Sequence, residues 1–208
     1  MNLETLEYPP LTEDIEEAKN HLDEYGMALI ANVLSSDEID EMDQRLNEQF
    51  LGEEKYKVGS KVRGDEGLGF ESSEEEKVSR LVWNLINKGD CFLKLIDHPK
   101  ILPLIQHLIG EKVCLCSMGA HMNGSGNEKM ALHQDQWPLV PHPMDFPFMA
   151  NVMYLISDNS PENGGTRLIP GSHKWPLIDY RTANGEEIQK MANSCLLYTS
   201  PSPRDCRL

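Results

Sequence analysis

The sequence predicts one domain in which helices pack against an antiparallel sheet or barrel, an α+β fold with its strands gathered in the second half. Three observations carry that. Apolar residues recur at helical spacing up to about Gly110. Beyond it the chain breaks into short apolar runs punctuated by Gly, Pro and Asn. Helices first and strands afterwards, without alternation, is the order of an α+β layer arrangement and not of a parallel α/β sheet.

The elements follow in order. Residues 12–24 read as a helix ending near Gly26, and "GMALIANVL" as a short apolar strand. "SSDEIDEMDQRLNEQF" opens a second helix. Ser35 and Glu38 have the spacing of a capping box, and Ile39, Met42 and Leu46 form an apolar stripe. Residues 51–72, rich in Gly and charge, read as a long loop. "SEEEKVSRLVWNLINKG" reads as a third helix with Val78, Leu81, Val82, Leu85 and Ile86 on its inner face. "HPKILPLIQHLIG" reads as a fourth, with Gly110 as its C-cap and Pro103 marking its start. "KVCLCSMGAHM", "MALHQDQ", "FMANVMYLIS" and "GTRLIP" are the strand-like runs.

Composition narrows the function classes. The 208 residues are 39% hydrophobic and 25% charged, as in a soluble globular domain, and no apolar run reaches membrane-spanning length. The acidic N-terminus lacks the layout of a signal peptide, so a cytoplasmic location is the default expectation. A formal net charge of -15 argues against nucleic acid or an anionic membrane as the main partner and is neutral on enzyme versus binder; the resemblance given below implies a small-molecule substrate. "KYKVGSKVRG" is a local exception. Lys55, Lys57, Lys61 and Arg63 form a solvated loop or, as a sharper hypothesis, an anion clamp at a pocket mouth. Five cysteines without a leader do not suggest a disulfide framework, and Cys114 and Cys116 read as core or strand residues. Oligomeric state is not legible.

Chemistry enters with "LHQDQWP". On a strand, His133 and Asp135 share one face while Gln134 faces away. They are two thirds of a 2-His-1-carboxylate triad, which holds non-haem Fe(II) on one side and leaves positions open. His-x-Asp alone recurs by chance, so its context decides. "LHQDQWP" followed by "PFMANVMYLISDNSPENGGTRLIPGSHKW", with "YGMALIANVLSSDEIDEM" near the start, resembles the phytanoyl-CoA dioxygenase family of Fe(II)/2-oxoglutarate oxygenases.

The resemblance implies a mainly β core with flanking helices, a double-stranded β-helix (jelly roll, cupin-like). It implies that His133 and Asp135 bind Fe(II), with 2-oxoglutarate and O2 as co-substrates. It assigns Asn151 and Thr166 to co-substrate contacts and lets Trp137 line the substrate pocket, with ordinary strand or core roles as the alternative for each. Tyr154, Leu155 and Ile156 read as plain barrel core. His173, in the "PGSH" turn, is structural in the family; His121 and His142 are no better as a third ligand. The family's second iron-binding His and its 2-oxoglutarate Arg lie downstream of that turn. After His173 the sequence has no His, and only Arg181, Arg204 and Arg207.

The expectation is therefore a domain over residues 1–193 that is incomplete at its C-terminus and inactive as it stands. Residues 194–208, "SCLLYTSPSPRDCRL", read as a non-native, adaptor-like tail. Two other readings stay open: a non-catalytic binding protein on the same barrel, and another metal-dependent enzyme using His133 and Asp135.

Overall fold

The structure is a computed structural model that describes residues 7–58, 60–62, 79–122, 135, 146–159, 163, 165–174 and 196–197. Strand β1 (Leu11–Thr12) leads into α1 (Ile15–Tyr25), which returns through β2 (Leu29–Ile30) to pair parallel with β1. The Asp14 side chain caps α1 by accepting from the Glu17 backbone N–H at 2.9 Å, with Glu16 and Glu17 favourably placed against the helix dipole. Ala18 and Leu22, one turn apart, are buried and meet Leu104 of α4 (Leu102–Ile109). The His107 ring of α4 also lies 2.8 Å from an Asp23 carboxylate oxygen.

Gly26 ends α1 at φ 73°, where its N–H reaches the Leu22 carbonyl at 2.9 Å. The "PGSH" turn docks on that end. Gly171 N–H donates to the Tyr25 carbonyl at 2.7 Å, and the His173 ring lies 3.2 Å from the Asp23 carbonyl. A Cβ at residue 26 would overlap His173 Nδ1.

Helix α2 (Ser36–Tyr56) carries the expected capping box: Ser35 Oγ accepts from Glu38 N–H, and the Glu38 carboxylate accepts from Ser35 N–H at 2.8 Å. It runs six residues past Phe50, into the stretch read as a loop. Leu51 and Tyr56 there are exposed, while Phe50 and Glu53 turn inward. Glu53 is buried against Lys88 (2.7 Å) and accepts from Gln49 at 2.9 Å, so its charge is paired and hydrogen-bonded.

The third predicted helix is overturned. Its described part is a strand, β4 (Ser79–Trp83), then a 3-10 turn (Leu85–Asn87); the short α3 (Asp90–Leu93) begins just after it. Val78 lies outside the described residues. β4 is the centre of a three-stranded antiparallel sheet between β3 (Ser60–Val62) and β5 (Gly119–Met122), with Leu81 opposite His121 and Val82 opposite Ala120. Leu81 is 5% and Val82 0% exposed although they point to opposite faces. A strand buried on both faces reads as an unbroken apolar run, which happens to match helical spacing. Ile86, expected inside, is 39% exposed.

The main core joins Met42, Leu46 and Phe50 of α2 to Val82, Leu85 and Phe92. Each such side chain contributes about 1.5–3 kcal/mol on full burial. The expected strand run 112–122 is regular only in β5. Cys114 and Cys116 precede it and are exposed, which corrects their reading as core or strand residues; Cys91 is the buried thiol. Of "GTRLIP", Arg167–Leu168 forms β6, which pairs with β7 (Leu196–Leu197), inside the stretch read as a tail. No helix among the described residues is long and apolar enough to cross a membrane.

Gly26→Ala should destabilise the protein by about 1–2 kcal/mol from the left-handed backbone alone, and by more through the clash with His173. Urea unfolding checks this. Adding His173→Ala should recover the steric part and leave the backbone part.

Candidate metal centre

Within the described segment 146–159, the run 148–157 read as a strand has no regular strand pairing over residues 148–155. It is nevertheless anchored. Tyr154 and Ile156 pack against the main core, as read from the sequence. The Tyr154 hydroxyl donates to the Leu95 carbonyl at 2.9 Å, and burial pushes its pKa up to about 12. That ties the segment to the helical layer.

Three residues before this anchor, the exposed Asn151 reaches Asp135. Its Nδ2 donates to Asp135 Oδ2 at 2.5 Å. The two were singled out from sequence in separate roles, sixteen positions apart, and the fold brings them together. Asp135 is exposed and lies in a turn, not on a regular strand. His133 and Trp137 lie outside the described residues, as do His142 and Arg63. Thr166 is half-buried immediately before β6.

The donor chemistry fits a divalent cation at one ligand: an acidic carboxylate held by a neutral amide donor, as metal-ligating carboxylates are commonly held. Asp135 is the one described member of the two-residue set proposed from sequence. Among the described residues no group of three His, Cys, Asp or Glu side chains could hold a metal ion.

A family model described as phytanoyl-CoA dioxygenase matches residues 22–195. The chain belongs to that family. The match takes in His133, Asp135, Asn151 and Thr166 and stops just before β7. Curated relatives agree. Dioxygenase af480 of Aspergillus fumigatus is 30% identical over 166 residues, 79% of this chain and 51% of that protein. A probable alpha-ketoglutarate-dependent hypophosphite dioxygenase of Stutzerimonas stutzeri is 27% identical over 174 residues, 83% of this chain and 58% of that protein. Dioxygenase sphC of Aspergillus fumigatus is 25% identical, covering 78% of this chain and 46% of its own length. The chain thus spans about half the length of the curated relatives it matches. No solved structure matches it.

Two further histidines now have places. His173 sits on the end of α1, with its ring beside the Asp23 carbonyl. His121 lies on β5 opposite Leu81, on the sheet face turned away from Val82 and the helical core. The residue as a whole is exposed, and it is the partial burial of its ring that disfavours the imidazolium and lowers its pKa below the ordinary 6.5.

Of the basic cluster, Lys55 closes the last turn of α2, with its ammonium 5.4 Å from the Tyr56 ring centre, and Lys57 is the left-handed C-cap. Lys61 is on β3, paired in register with Arg80.

An NMR titration should give His121 a midpoint below 6.5. The unfolded chain then binds that proton more readily, so the His121 contribution to stability is full above pH 6.5. It is lost as pH falls from 6.5 through the folded midpoint. Comparing urea midpoints of the wild type and His121→Gln across that range checks the sign.

Proposed function

We propose that the whole protein is an Fe(II)- and 2-oxoglutarate-dependent dioxygenase that hydroxylates a small organic molecule on a double-stranded β-helix. The observation that carries this reading is the Asp135 carboxylate, two residues after His133 and held by Asn151, inside the segment that matches the family. The relative named as alpha-ketoglutarate-dependent supports the choice of co-substrate. The net charge of -15 supports a small-molecule partner over nucleic acid or an anionic membrane.

His133 and Asp135 would hold the metal, and Asn151 would hold Asp135. Thr166 would offer a hydroxyl to the co-substrate, and Trp137 an apolar wall to the substrate. Bound Fe(II) supplies the redox and O2 chemistry that couples 2-oxoglutarate decarboxylation to substrate oxidation. The chain's own part is to aim the ligands and exclude water. A carboxylate at 135 favours hydroxylation over halogenation, since a halide needs the coordination position that Asp135 fills.

A second reading is a non-catalytic binding protein on the same barrel.

Sequencing the native reading frame past codon 193 separates the two. A frame that continues into a strand bearing a His and then an Arg completes the site. The protein so encoded should release succinate from 2-oxoglutarate with Fe(II) and lose that activity in Asp135→Ala. A frame that ends with "SCLLYTSPSPRDCRL" makes binding the better reading. Turnover supported by zinc without 2-oxoglutarate consumption would replace both with another metal-dependent enzyme.

A further inference from the structure

We infer that Asn151 is a positioning residue for the Asp135 carboxylate, and not a contact of the co-substrate. The inference rests on the oxygenase reading in taking Asp135 as a metal ligand. The Asn151 side chain commits an N–H to Asp135 Oδ2, a hydrogen bond to a charged acceptor. Its backbone is well placed for the task. Tyr154, three residues on, is held to the Leu95 carbonyl, and Ile156 packs in the core. Asp135, by contrast, sits in a turn. The bond therefore ties a turn residue to a segment fixed on the helical layer.

The chemistry of the donor suits this role. An amide N–H orients a carboxylate without bringing a positive charge that would compete with a cation. A carboxylate offers about four lone-pair sites on two oxygens, so accepting one hydrogen bond is compatible with ligating a metal. Asparagine also does not titrate, so the support is constant with pH.

Two measurements on the chain test this. First, in metal-free protein, the Asn151 side-chain amide resonance is assigned by its loss in Asn151→Ala and then followed in Asp135→Ala. It should shift; an unmoved resonance overturns the inference. Second, Co(II) is titrated into wild type, Asn151→Ala and the near-isosteric Asn151→Leu, with and without 2-oxoglutarate. Both variants should bind Co(II) about 10- to 100-fold more weakly in either condition, with altered visible bands and an unchanged urea midpoint. Unchanged Co(II) affinity with weakened 2-oxoglutarate binding would restore the co-substrate role and overturn the proposal. If wild type binds no Co(II) while the amide still responds to Asp135→Ala, the link to Asp135 stands and the metal reading of this chain falls.

Discussion

The rest of the structure depends on the packing of the α2 stripe against Val82. Met42, Leu46 and Phe50 lie one turn apart on α2, and Val82 is fully buried against them. This contact fixes which face of the β3–β4–β5 sheet is covered by helix. By register it then decides that Ala120 faces the helical core while Leu81 and His121 face away. A one-residue slip of β4 would exchange the two sets, so the burial of Val82 determines register as well as stability.

Among the described residues, the same core reaches the candidate metal centre through the segment 146–159. Tyr154 and Ile156 bind residues 146–159 to it, and Asn151 carries that support outward to Asp135. Phe146, Phe148, Val152 and Met153, in the same segment, are largely exposed.

The helix ends show how local chemistry and tertiary contact cooperate. Gly26 is required by the αL cap, a local demand, and again by His173, which occupies the space a Cβ would take. Glu53 is tolerated in the core because α2 supplies Gln49 one turn earlier and the 3-10 turn places Lys88 opposite. Neither partner alone would offset the loss of water around the carboxylate.

Features governed by neighbours in sequence were legible from sequence. The capping box at Ser35 and Glu38, the Gly26 cap and the Pro103 start of α4 each rest on groups a few residues apart. So was the family, because "HQD" and "ENGG…IPGSH" are short strings. Asp135 and Asn151 are each singled out by the sequence motifs, in separate roles.

What only the tertiary structure decided was set by groups far apart in the chain. Residues 79–83 form a strand because β3 and β5 complete their hydrogen bonds and both of their faces are covered, which erases the period-2 signal. The exposure of Cys114 and Cys116 depends on what does not pack there. The partnership of Asn151 with Asp135 spans sixteen residues and has no sequence period. Local pattern determines which elements and motifs exist, while the closure of distant segments over a common core determines what each side chain touches.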